Sequence, residues 1–251
     1  MDYTSKLIDF LKRSFTETGF TKAVIAVSGG VDSATSCALA VRALGKENAY
    51  PILLPYGQLN HQGVVDARLV IDALQIPHDN ISEIDIKPLI DPLLTLDPDM
   101  DNVRKGNSMA RMRMIVLFDQ AKKRNALVVG TENKSEHLLG YFTRFGDEAS
   151  DIEPLRNLYK TQVYELARHL NIPEPILTKK PTAGLWEGQT DEGEFGFTYK
   201  EADAILSLLY DEKKSVKDVV GQGISREIIE KVQARVDQNA FKHHLPMFPR
   251  A

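Results

Sequence analysis

Ala23 to Val27 reads AVIAV, an unbroken apolar run rich in β-branched residues, and it leads straight into SGGVDS and then the strong helix formers ATSCALAVRAL. An apolar run of this length bounded by glycines suits a parallel strand covered on both faces. Gly45 would cap the helix in the left-handed conformation before AYPILLP resumes as a second strand, which makes a βαβ unit. The alternation continues with a helix from about Gly63 to Leu74, a strand near Ile81 to Ile86, a long helix from about Arg104 to Arg124 and the strand Ala126 to Gly130. Strands alternating with helices predict an α/β fold, a Rossmann-like three-layer α/β/α arrangement around a twisted parallel sheet with helices at the C-terminal end. Such sheets place ligands at the carboxyl ends of their strands, so Ser28 and Thr131 should share a crevice.

The SGGVDS turn can bind an anion. Backbone N–H groups and the positive end of the following helix converge there, Gly29 and Gly30 permit close approach, and Ser28 and Ser33 offer hydroxyls. Asp32 would repel a bare phosphate, so its presence calls for a divalent cation bridging it to the ligand. The turn lacks the spacing and terminal Lys-Ser or Lys-Thr of a Walker A loop.

Composition narrows the function classes. A formal charge of −4 gives no broad basic surface of the kind that nucleic-acid binding needs. The N-terminus reads as an amphipathic helix rather than a signal peptide, and no segment has the unbroken apolar length of a membrane span. One cysteine, Cys37, excludes an intramolecular disulfide and fits a reducing compartment, so the expected location is cytoplasmic. Cys37 itself reads as a small buried apolar residue, and His61, His78, His137 and His169 have surface or capping roles in the absence of zinc-type spacing.

The chain is expected to be one domain: a nucleotide-binding core over about residues 20–182, a flap over about 183–198 and a helical extension over about 199–251. The flap, with its glycines and acids, shows neither helical nor strand period. Thr198 with Glu201 forms a capping box for one closing helix, and Ser225 stands ahead of another.

The SGGxDS turn, Ser28, Gly29, Gly30, Val31, Asp32 and Ser33 here, resembles the signature of the N-type ATP pyrophosphatases, which adenylate a substrate and release pyrophosphate. Downstream, LPYG at Leu54 to Gly57, ARMRM at Ala110 to Met114, GTENKSEHLLGYFTRFGD at Gly130 to Asp147 and KKPTAGL at Lys179 to Leu185 together resemble the ammonia-dependent NAD synthetase family, in order and over most of the chain. The resemblance implies that the nicotinate carboxylate of deamido-NAD attacks the ATP α-phosphate and that ammonia then displaces AMP. It also implies that Thr131, Lys160 and Thr182 contact ATP with the loop, that Asp32 and Glu136 hold Mg2+, and that Asp32 and Lys160 are catalytic.

On the same ground Arg111, Arg144, Asp151 and Lys242 would bind deamido-NAD. Arg111 lies on a helix whose Ala110, Met114, Leu117, Phe118 and Ala121 form an apolar face, so an ion pair or an interface role stays open beside the ligand. Arg144 stands where the family pattern has Lys. The tail reads Phe241-Lys242-His243-His244-Leu245-Pro246 where the family shows His-Lys-Arg before a proline, so Lys242 keeps the cation and the histidine is lost. Trp186 would either cover the nucleotide or anchor the flap at an interface.

The resemblance further implies a homodimer, with the helix around Met109 to Phe118 as a candidate contact. Nothing before Ala23 is long enough for a glutaminase domain, so free ammonia is the expected donor, with a separate glutaminase subunit left open. Rival readings are another amidating or sulfur-inserting ATP pyrophosphatase, and a non-catalytic adenine-nucleotide sensor. Cys37 in a helix interior is badly placed for sulfur chemistry.

Overall fold

The computed structural model describes residues 3–244; Leu245 and Pro246 of the tail lie outside the described residues. Four parallel strands, β1 (Ala23–Ala26), β2 (Ala49–Leu53), β3 (Ser82–Glu83) and β4 (Leu127–Val128), form a sheet in the order β3-β2-β1-β4. A parallel bridge between Val129 and Ile152 extends it beyond β4.

The helices are α1 (Tyr3–Thr18), α2 (Val31–Leu44), α3 (His61–Ala73), α4 (Lys87–Leu94), α5 (Asn102–Arg124), α6 (Lys134–Leu139), α7 (Lys160–His169), α8 (Glu174–Thr178), α9 (Asp191–Phe195), α10 (Tyr199–Leu206), α11 (Val216–Gly221) and α12 (Arg226–Asn239).

Side chains alternate across the sheet with period two. Ala23, Ile25 and Val27 with Ala49 and Leu53 pack into one core, which takes in Leu11 of α1, Leu39 of α2 and Val163 of α7. Val24, Ile52 and Val128 enter the opposite core with Ile90 of α4 and Met109 and Leu117 of α5. Those two apolar layers on one sheet make the three-layer α/β/α fold. A third core, built from Leu139, Phe195, Ile205, Val219 and Ile229, binds α10, α11 and α12 to α6 and α9.

Pro51 sits inside an internal strand, which its missing N–H would ordinarily forbid. Leu53 O accepts from Ile84 N, so Pro51, two residues earlier, also faces the β3 side. The first β3 pair is Ile52 with Ser82, so Pro51 leaves no ladder bond unmade.

Several elements differ from the sequence expectation. The strand expected over Ile81 to Ile86 is regular only over Ser82–Glu83, although Ile84 N and Ile86 N still donate to Leu53 O at 2.9 Å and Pro55 O at 2.8 Å; Asp85 Oδ1 accepts from Gly57 N at 2.9 Å and Lys87 N at 2.8 Å where the chain turns into α4. Gly45 ends α2 at φ 87° and ψ 149°, outside the left-handed helical region expected of it. The long helix begins two residues early because Asp101 caps it, accepting from Arg104 N at 2.8 Å. The flap carries α9, whose last residue Phe195 is buried and whose end is capped by Gly196 at φ 73°. The capping box of Thr198 and Glu201 opens α10 as expected; Ser225 precedes α12 without a side-chain cap bond.

Candidate functional site

β1 stands at the switch of strand order, with β2 reached through α2 on one side and β4 on the other, so the crevice of the sheet opens beyond β1 and β4. Ser36 Oγ of α2 donates to Gly130 O at 2.6 Å and ties α2 to the segment that follows β4. A cavity of about 420 Å3 lies there, lined by Ser28, Gly30, Val31, Asp32, Ser33, Thr131, Glu136, Lys160, Thr182 and Lys242 among others.

The loop is knitted by its own hydroxyls. Ser33 Oγ donates to Gly30 O at 3.0 Å and accepts from Ser28 N at 3.2 Å. Gly30 caps α2 with no side-chain bond, so the first-turn N–H groups face the cavity with the positive end of the helix. Gly29 is required behind the loop rather than in it. At φ +79° a Cβ there would stand 2.4 Å from Gly63 O and 2.7 Å from Asp66 Cβ, so the loop rests directly on α3.

Three charged side chains meet in front of it. Lys160 Nζ lies 2.6 Å from Asp32 Oδ2 and 2.9 Å from Glu136 Oε1, and Asn133 Nδ2 donates to Asp32 Oδ1 at 2.8 Å. Sequence places them locally: Asn133 and Glu136 form the capping box that opens α6, which leaves Glu136 Oε1 free to face Lys160. Lys160 is the first residue of α7, its own N–H held by Ser135 Oγ at 2.8 Å.

Burial pushes the Glu136 carboxyl up to about 8; Lys160 opposes the shift and the charge of Asp32 adds to it. Burial pulls the Lys160 ammonium down, but Asp32, Glu136 and Asp191 outweigh it and hold it well above its ordinary value. The proton therefore stays on Lys160, which also sits 4.9 Å above the Tyr199 ring.

Asp32 and Glu136 share one neighbour, the Lys160 ammonium, and present the hard oxygen donors that a small divalent cation takes. Among the described residues there is no group of three or more His, Cys, Asp or Glu side chains arranged for a metal. Two carboxylates suit an ion that takes its other ligands from phosphate and water.

Not every expected residue reaches the cavity. Arg111 is exposed, its Nε donating to Arg144 O at 3.3 Å, and the Arg144 guanidinium lies 4.8 Å over the Phe145 ring and donates to His244 O. Asp151 Oδ2 accepts from Val128 N at 2.7 Å and so ties down the end of β4. Lys242 does face the cavity, with Nζ donating to Gly140 O at 2.6 Å and Phe142 O at 2.9 Å. His137, expected at the surface, is half-buried between Glu132 and Arg156, and burial pushes it down to about 4.

Sequence reasoning missed Arg113, Asn133, Lys179, Asp191 and Arg235. Arg113, not Arg111, turns inward, its Nε donating to Leu54 O at 3.0 Å. The helical wheel carried that signal, since position 113 is three residues from Ala110 and four from Leu117 on the buried face. The Asn133-x-x-Glu136 spacing likewise signalled a cap. Asp191 comes from the flap; its two oxygens accept from Tyr141 at 3.1 Å and Tyr199 at 3.0 Å, and burial raises its carboxyl.

Residues 3–246 match a family model described as NAD synthase. The chain is 43% identical over 246 residues to an NH(3)-dependent NAD(+) synthetase of Fusobacterium nucleatum, covering 98% of this chain and 94% of that protein. The solved NMN synthetase of Francisella tularensis is 37% identical with a TM-score of 0.87, covering 100% of this chain and 98% of that one. The NH3-dependent NAD synthetase of Campylobacter jejuni, solved with a nitrate ion, is 30% identical with a TM-score of 0.82, and both chains are covered in full.

Proposed function

The chain belongs to the NAD synthase family, and from that premise we propose that it is an AMP-forming ligase that amidates deamido-NAD with ammonia at the expense of ATP. The observation that carries this reading is the Ser28–Ser33 loop, with its own Asp32, facing Lys160 and Glu136 in one cavity.

A carboxylate is a poor acyl donor because its leaving oxygen is a strong base. A nicotinate oxygen attacks the α-phosphorus, the α–β bridging bond breaks and pyrophosphate leaves; ammonia then attacks the acyl carbon, AMP departs with the bond electrons and a proton is lost. First-turn N–H groups of α2 and the Ser28 hydroxyl bind the pyrophosphate oxygens, with Ser33 turning its hydroxyl from Gly30 O to the ligand when it is bound, and the Lys160 ammonium offsets their charge. Thr131 and Thr182 line the same cavity and contact the nucleotide, while Lys242 meets the nicotinate substrate. Asp32 and Glu136 would hold Mg2+, which when bound supplies charge neutralisation for the departing phosphates.

The protein is incubated with ATP, magnesium, ammonium and deamido-NAD, and the nucleotides are separated. AMP and NAD appear in equal amounts; accumulation of ADP overturns the reading. Asp32→Asn loses turnover and magnesium dependence together.

A second reading differs only in the acceptor, nicotinate mononucleotide in place of the dinucleotide. It is favoured by the likeness to the Francisella NMN synthetase. The same assay run with the mononucleotide decides between the two by the ratio of kcat/KM values.

The core, flap and C-terminal helices act as one unit and pair as a homodimer through α4 and α5, which expose Leu89, Leu93, Val103 and Ile115. No helix among the described residues is long and apolar enough to cross a membrane. The enzyme works in the cytoplasm with free ammonia, directly or from a separate glutaminase subunit.

A further inference from the structure

The positive charge near the phosphate loop is largely committed. Lys160 already contacts two carboxylates, at 2.6 and 2.9 Å, and Asp191 adds a third acid nearby. ATP keeps a net negative charge even with one Mg2+ bound, so a second side-chain ammonium at this loop would strengthen its binding.

Lys179 stands at the cavity wall where the chain enters the flap. Its Nζ lies 2.7 Å from Asp66 Oδ2, and among the described residues Asp66 is its one ion-pair partner. Asp66 is buried on α3 at 5% exposure, with Oδ1 accepting from Gln62 Nε2 at 2.8 Å. The same Asp66 packs against Gly29 so closely that a Cβ on that glycine would meet it at 2.7 Å. Loop, buried carboxylate and ammonium are thus consecutive contacts, which fixes the Lys179 charge beside the phosphate loop.

A buried ion pair contributes little to stability that apolar side chains of similar volume could not. Here one end of the pair faces a cavity, and an ammonium with three donors has one of them on Asp66. We propose that Lys179 is a phosphate-binding residue of this cavity, its ammonium held at the Ser28–Ser33 loop by Asp66, and that it takes oxygens of the pyrophosphate portion of ATP. This rests on the loop binding ATP as proposed above. Lys179 touches the ligand; Asp66 acts through it and is a positioning residue.

The experiment titrates magnesium pyrophosphate into the full-length protein by calorimetry and follows turnover with ATP varied. Lys179→Met weakens pyrophosphate binding about tenfold or more, the loss expected for one charged hydrogen bond. It raises KM for ATP and leaves KM for the nicotinate substrate unchanged. Lys179→Arg restores binding to within about threefold, since charge at this spot is what matters. Asp66→Asn has an intermediate effect, and the double variant Asp66→Asn with Lys179→Met is no weaker than Lys179→Met alone.

Wild-type affinity in Lys179→Met, failure of Lys179→Arg to recover it, equal changes in both KM values, or additive effects in the double variant each overturn the proposal. If the wild-type protein forms no AMP yet the pyrophosphate affinities follow the expected order, the assigned reaction fails and the phosphate site stands. If AMP and the amide form while Lys179→Met binds pyrophosphate like wild type, only the present inference fails.

Discussion

Lys160 Nζ lies 2.6 Å from Asp32 Oδ2, joining the first residue of α7 to the phosphate loop across 128 positions of sequence. The contact closes the cavity from the side of the C-terminal helices, because Lys160 is also held by Glu136 of α6 and lies over Tyr199 of α10. Lys160→Met leaves two carboxyl groups facing each other in a buried place. Burial already raises the Glu136 carboxyl, and without Lys160 to oppose the shift it takes a proton and relieves part of the repulsion. The expected loss is about 3 kcal/mol in denaturant titration. AMP formation should fall about a hundredfold or more, the scale of losing a fixed charge at a reacting phosphate. Wild-type turnover in this variant would remove Lys160 from the site.

Glu132 gives the protein a pH dependence of its own. Burial pushes its carboxyl up to about 8 against the pull of Arg156, whose guanidinium lies 3.0 Å away. The folded-state value is raised above that of the unfolded chain, so the contribution of this proton is full below about pH 4.5 and is lost as pH rises through 8. Between those limits the folded protein holds the extra proton, and stability falls with pH by up to about 1.4 kcal/mol per unit for one such group. Glu153, pushed up to about 7 by burial, adds to the slope over its lower part. Denaturant titrations between pH 5.5 and 8.5 should show this decline, and Glu132→Gln should flatten it. An unchanged slope in Glu132→Gln would place the titration elsewhere.

How far these features could be read beforehand depends on whether their cause is local. β1, the glycine turn and α2 are dictated by neighbours in sequence: an apolar run, two glycines and a stretch of helix formers. Asp32 was legible because an acid in an anion-binding turn needs a counter-ion. β3 is shorter as a regular strand than expected, though its pairing with the β2 side runs on to Ile86 N, and the turn that follows depends on Asp85 accepting from Gly57 and Lys87, a contact that a period of alternation cannot show. Arg111 and Arg113 show a different limit. Both belong to one motif, and only the angle between them on α5 decides which faces the cavity. Asp191 and Lys179 were illegible for a third reason: their partners, Tyr199 and Asp66, come from elements that meet only in three dimensions.

Association in solution can be tested at Ile115, which is 54% exposed on α5 although it belongs to an apolar segment. Val103, Leu89 and Leu93 are exposed on the same pair of helices, and a surface of this kind is what an interface between copies would cover. Sedimentation velocity of the wild-type protein should give the dimer mass, and Ile115→Glu should shift it to the monomer without changing the helix signal in circular dichroism. A wild-type monomer would rule out the pairing through α4 and α5.

Trp186 makes the flap observable, since it is the chain's single tryptophan and lines the nucleotide cavity. Its neighbourhood is fixed at two points. Leu185 N donates to Gln189 Oε1 at 2.7 Å, and the Leu185 side chain packs so close to α5 that a Cβ on Gly106 would meet it at 2.9 Å. Saturating magnesium and ATP should therefore change Trp186 emission along a single binding curve. If the ring also keeps water from the acyl adenylate, Trp186→Ala should release AMP in excess of the amide product, whereas Trp186→Phe should keep the two equal. Emission that follows protein concentration but ignores ATP would show the other role, an anchor between copies of the chain, and would take Trp186 out of the nucleotide site.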